Sequence, residues 1–169
     1  MVQYRRNRVA GGTYFLTLTL RDRRTNYLVK HVEVLRGSFR RVQITHPFSI
    51  DAVVVMPDHL HLLCTLPEGD TDYSERVRLI KRYFTQSLIA LDVASRGVWQ
   101  SRFWEHTIRD DNDFYRHVDY VHFNPVKHGH VCNTNEWPHS SFHRYVRQGL
   151  LPLDWGDSTI DMSDEEFGE

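Results

Sequence analysis

Two apolar runs stand almost back to back in the first half of the chain, and their spacing leaves little freedom. Phe48–Val55, with its core Ile50-Asp51-Ala52-Val53-Val54-Val55, is β-branched and largely apolar, and His59–Leu66 follows after Met56-Pro57-Asp58. A β-branched run of this length reads as a central, buried strand. The Pro-Asp pair between the runs is turn chemistry, so the two strands are expected to lie side by side. In the second, residues two apart share a face. Leu60 and Leu62 then point into a core and His59 and His61 point together to the other side, while Cys64 keeps the parity of Leu62. Two neutral imidazoles on a rigid strand can hold one divalent metal. They can equally be two half-buried histidines, and the pair alone does not decide. Asp58, one residue before His59, reads as a turn residue facing away from both imidazoles.

The remaining periodicity places the hairpin in a larger sheet. Gly11-Gly12 leads into Thr13–Leu20, where Tyr14, Leu16, Leu18 and Leu20 alternate with Thr17 and Thr19, a strand pattern. Residues 28 to 43 carry Val32, Leu35, Phe39 and Val42 at helical spacing, and residues 72 to 92 carry Val77, Ile80, Phe84, Leu88 and Leu91. A fourth strand is expected within Trp99–Ile108, a helix over 111–123, and a short helix or ordered extension over 137–147. Strand-helix-strand twice, then a helix, gives an α+β fold: a four-stranded antiparallel sheet with helices packed on one face. One domain over residues 1–153 and an acidic, flexible tail over 154–169 are expected. No stretch approaches the ~20 apolar residues of a membrane span, and no signal-peptide pattern is present. Cys64 and Cys132 fit free thiols in a reducing cytoplasm.

The 111–123 helix carries the second chemical feature. Asp110-Asp111-Asn112-Asp113 is rich in capping and first-turn carboxylates, and Phe114, Val118 and Val121 form its apolar stripe. Tyr120 and Asn124 lie four apart on a different face, and Pro125 is expected to end the helix at or just before Asn124. Tyr115 is the rival tyrosine on this helix but lacks a polar residue four positions on. His122 reads as structural. Lys127 could hold a phosphate or be an ordinary solvated lysine. Glu105 and His106 are adjacent in the fourth strand, so they face opposite sides and only one of them can approach the histidine pair.

Charge is segregated along the chain. Residues 1–48 hold ten Lys/Arg against two Asp/Glu, 49–149 hold eleven against thirteen, and 150–169 hold seven Asp/Glu and no Lys/Arg, for a net −1. Arg5, Arg6, Arg8, Arg21, Arg23, Arg24, Arg40 and Arg41 make the first third a candidate surface for nucleic acid. Arginine suits bidentate contact with phosphate or guanine. The acidic tail could lie over that basic surface and compete with DNA.

Met56-Pro57-Asp58-His59-Leu60-His61-Leu62-Leu63 and His117 through Gly129, with Gly11–Phe15, Trp99-Gln100, Phe103–Asp110 and Trp137–Tyr145, resemble the REP-associated tyrosine transposases. These are single-tyrosine members of the His-hydrophobe-His endonucleases. The resemblance covers all but the last fifteen or so residues. It implies a ferredoxin-like fold and cleavage of single-stranded or hairpin DNA through a covalent phosphotyrosine. It further implies Tyr120 as nucleophile, His59 and His61 as metal ligands, and Asn124 as the residue completing the metal shell. Glu105 or His106 remains a candidate third ligand or orienter. Arg5, Arg6, Arg8, Arg21, Arg23, Arg24 and Lys127 are the candidate DNA contacts. The implied cofactor is a divalent metal, Mg²⁺ or Mn²⁺, the place of action is the bacterial cytoplasm and nucleoid, and the residues fix neither monomer nor dimer. The competing reading is a module that binds single-stranded nucleic acid without cutting it, with the same sheet and basic arm.

Overall fold

The computed structural model describes residues 6–156 and Phe167. Four strands form one antiparallel sheet: β1 (Thr13–Thr19), β2 (Ser49–Val55), β3 (His59–Thr65) and β4 (Trp104–Thr107), in the order β2-β3-β1-β4. Between β1 and β2 lie α1 (Tyr27–Lys30) and α2 (Val32–Thr45), and α3 (Tyr73–Ala90) links β3 to β4. After β4 come α4 (Asp111–Lys127), a single 3₁₀ turn at Thr134–Glu136, and α5 (Phe142–Arg147). The expected single helix over 28–43 is therefore two, divided at His31.

Alternation in the strands sorts the core into two layers. Tyr14, Leu16 and Leu18 of β1 and Leu60, Leu62 and Cys64 of β3 pack with Leu35, Phe39 and Val42 of α2 and Val77, Ile80, Phe84 and Leu88 of α3. The opposite face buries Phe15, Ala52, Val54 and Leu63 under Val118, Tyr120 and Val121 of α4. Helices thus cover both faces, not one: the two crossover helices share a side, and the additional helix after β4 takes the other. A bulge between Ile50 and Ala52 shifts the register of β2 by one residue. This is how Ile50 joins Val53 and Val55 in one layer while Ala52 and Val54 reach the other. The outer edge of β2 is closed by the chain at 139–141, where Val55 N–H donates to the His139 carbonyl at 2.8 Å and Ser141 N–H to the Val53 carbonyl at 2.8 Å. That closure removes an exposed sheet edge.

Helix α4 is anchored at its start and runs past its proline. The Asp110 side chain accepts from Asp113 N–H at 2.9 Å, an N-cap. Contrary to the expected stop at Asn124, the helix continues through Pro125 to Lys127. Proline in the last turn removes one backbone donor and no more, and His128 N–H still bonds the Asn124 carbonyl at 3.0 Å. Gly129, at φ +70°, then turns the chain in a conformation that favours glycine. The extra turn matters for function because it holds Lys127 on the same helix as Tyr120.

Candidate active site

Register determines what can meet on the α4 face. Thr17 of β1 stands directly opposite His61 of β3 on one side and Trp104 of β4 on the other. Cross-strand partners share a face, so His61, Thr17 and Trp104 form a row, with His59 two residues along β3. The His59 and His61 rings lie 4.9 Å apart, and both side chains are buried. Each imidazole is held through Nδ1. His61 Nδ1 pairs with Thr17 Oγ1 at 2.8 Å, and His59 Nδ1 with Asp58 Oδ1 at 2.8 Å. A carboxylate only accepts, so His59 donates from Nδ1 and its Nε2 keeps the lone pair.

Asp58 was expected to face away from the histidines, and the structure corrects this. It lies in the turn before β3, where strand alternation no longer dictates direction, and it turns back onto His59. Arg23 Nε holds its other oxygen at 2.6 Å. Burial raises the Asp58 pKa, but the hydrogen bonds from Arg23 and His59 outweigh it and hold the carboxyl below its ordinary value. Burial in turn lowers the pKa of His59 against the pull of Asp58, which favours the neutral, metal-binding imidazole. His59 Nε2 is buried and has no hydrogen-bond partner among the described residues. An imidazole fixed at Nδ1 by a carboxylate, with an orphaned Nε2, is the arrangement metal-ligating histidines adopt.

Opposite the pair, α4 presents Tyr120 and Asn124. Both are buried, although the sequence placed them on a less apolar face. The Tyr120 ring lies 5.3 Å from that of His61 and packs edge-on against Phe15 at 5.9 Å. Lys127 Nζ is 3.5 Å from the Tyr120 hydroxyl and 5.0 Å from its ring centre. His128, not singled out beforehand, brings its ring to 5.4 Å from that of His59. Tyr115 is 64% exposed and has no place in this cluster. Phe167, from the acidic tail, is buried with its ring flat against Tyr120 at 4.1 Å and 4°. It also meets His117 at 5.0 Å.

The other candidates divide. Glu105 sits opposite Leu16, on the α3 face, where it accepts a hydrogen bond from Tyr73. It is therefore on the wrong side of the sheet to join the histidines. His106 is on the α4 face but clamps β4 to α4: His106, Asp113 and His117 form a His/Asp group whose ligand atoms could hold a metal. In it Asp113 Oδ2 already meets His106 Nε2 at 2.8 Å, Arg109 N–H at 2.9 Å and Arg109 Nε at 3.1 Å. Asp113 is held far below the usual carboxylate range by these bonds despite its burial. His122 is buried against Ser141 Oγ at 2.8 Å, and burial takes its pKa down to about 3. Arg6 and Arg8 are exposed beside the β4 edge, with Arg6 donating to Ser74 at 2.8 Å. Arg21 is exposed after β1, and Arg24 is engaged by Asp22. Arg5 lies outside the described residues.

Residues 9–122 match the family described as Transposase IS200 like. The chain belongs to that family. It is 46% identical over 163 residues to the REP-associated tyrosine transposase of Escherichia coli (strain K12), covering 96% of each chain. A solved REP-associated tyrosine transposase bound to a REP hairpin superposes with a TM-score of 0.91 at 46% identity, covering 100% of this chain and 98% of that one. The protein is thus a tyrosine transposase of the REP-associated branch, and its sheet order and helices are those of an α+β transposase fold. No described helix is long and apolar enough to cross a membrane.

Proposed function

We propose that the protein is a metal-dependent single-stranded DNA endonuclease and strand transferase acting on REP-like hairpins in the cytoplasm, at the nucleoid. The observation that carries the reading is Tyr120 packed 5.3 Å from His61, beside a histidine pair whose outer nitrogens are fixed by Asp58 and Thr17. His59, His61 and Asn124 would hold a divalent metal, Mn²⁺ or Mg²⁺, with imidazole ligation favouring Mn²⁺. Such a metal would offset charge on a phosphate oxygen and polarise phosphorus. The Tyr120 oxygen attacks that phosphorus in line. The new bond is tyrosine O–P and the broken one is P–O3′; the Tyr120 hydroxyl gives its proton to water, and the leaving oxygen takes one from water to become a 3′ hydroxyl. The ammonium of Lys127 favours the attacking phenolate. The phosphotyrosine keeps the energy of the cleaved link, so a later 3′ hydroxyl reseals the strand without ATP. The nuclease domain is residues 1–153, and Arg6, Arg8 and Arg21 supply contacts to the DNA backbone. Arg23, tied to Asp58, serves the site through His59.

The test is covalent capture on a denaturing gel, with labelled hairpin DNA and Mn²⁺. An adduct that is lost in Tyr120→Phe and on chelation is expected. An adduct that survives Tyr120→Phe would move the nucleophile to Tyr115, and tight binding without any adduct would leave only the binding module.

A further inference from the structure

Helix α4 covers the β2 and β3 side of its face, through Ala52, Val54 and Leu63. On the other side, the row that begins at His61 runs across Thr17 and ends at Trp104 on the edge strand. Strands lie about 4.8 Å apart, so the backbone of Trp104 is about 10 Å from that of His61. Trp104 is 46% exposed, and among the described residues its indole makes no hydrogen bond and no ring contact. What sets Trp104 apart from the other exposed apolar side chains is its place, on the α4 face and in line with His61. One exposed cation stands close to it in sequence. Arg102 is exposed two residues before it.

We infer that Trp104 is a stacking platform for an unpaired base of the DNA strand that enters the site, in the nucleotide next to the cleaved phosphate. The indole accepts the base face, and Arg102, two residues before it and exposed, holds an adjoining phosphate. This is the combination that single-strand grooves use. The cut strand is the occupant because Trp104 stands in the same cross-strand row as His61, on the face that carries Tyr120. The inference rests on the proposed function in taking the strand to be DNA cut beside Tyr120, but it concerns binding and not the chemical step.

The test uses full-length protein carrying Tyr120→Phe, so that binding is read without cleavage. Hairpin DNA with a single-stranded flank is scanned with an abasic site at each unpaired position. Trp104→Ala is expected to weaken binding about fivefold to about 150-fold, with Trp104→Phe keeping most of the affinity. One abasic position should reproduce the loss and add nothing to Trp104→Ala. Unchanged melting temperature shows that the variant folds, as an exposed residue allows. Unchanged affinity in Trp104→Ala, or an equal loss on a blunt hairpin with no unpaired base, overturns the inference. Adduct formation by the Tyr120 protein is scored separately: its absence removes the nuclease reading, while a position-specific Trp104 effect would still establish the platform.

Discussion

Phe167→Ala is the most informative single change. The ring is 3% exposed, stacked 4.1 Å from Tyr120 and edge-on to His117. Burying a phenylalanine is worth about 1.5–3 kcal/mol, and an aromatic pair adds about 0.5–1.5 kcal/mol. Against this stands the entropy of ordering the residue, about 1–2 kcal/mol for the backbone alone. A net of about 2 kcal/mol for the docked ring corresponds to about thirtyfold in an equilibrium constant. If the docked ring and the DNA exclude each other, Phe167→Ala should tighten hairpin binding by up to about thirtyfold, read by fluorescence anisotropy, and raise the rate of adduct formation. Truncation after Trp155 should do at least as much, because it also removes six acidic residues. Salt separates the two contributions: the gain from removing charge is screened, and the gain from removing the ring persists. If both variants bind and react like the parent protein, the ring is a passive cover and the competition argument is wrong.

Two further outcomes follow from the site and its supports. Asp58→Ala should weaken Mn²⁺ binding by about 10–100-fold in calorimetry, as loss of such an orienting partner does; parental affinity would show that Asp58 does not set the His59 tautomer. His122, whose pKa falls to about 3 in the folded protein against about 6.5 unfolded, binds its proton more readily when unfolded. Its stability contribution is complete above pH 6.5 and is lost as pH falls toward 3, by about 1.4 kcal/mol per pH unit. The stability gap between parent and His122→Gln in urea should therefore shrink by about 2 kcal/mol from pH 7 to pH 5, and a pH-independent gap would contradict the assignment.

The strands and the pairing of β2 with β3 were legible because alternation and a three-residue turn leave few alternatives. The facing of His59 with His61, and the opposition of Glu105 to His106, follow from the same period. What alternation cannot describe is a residue outside a strand, which is why Asp58 was misjudged. The burial of Tyr120 and Asn124 was hidden because a helix stripe of Phe114, Val118 and Val121 shows which side is apolar, not how deep the flanks sink once a sheet arrives. For the same reason the stripe gives no indication of which sheet face α4 takes. Pro125 signalled a stop by local sterics, yet one lost donor in a last turn is cheaper than abandoning the packing around it. A signal for Phe167 was available: it is the one aromatic among the acidic residues after Trp155.

The two histidines stand on β3, paired on both sides within the sheet, whereas Tyr120 rides on a helix laid over it. Hydrogen exchange would therefore find the imidazole backbone among the slowest amides and the tyrosine helix opening earlier, as a separate unit. Such an opening carries the tyrosine away from the histidines while the sheet stays intact. Under the proposed reaction, a strand end bonded to Tyr120 would travel with the helix, away from the place where it was cut.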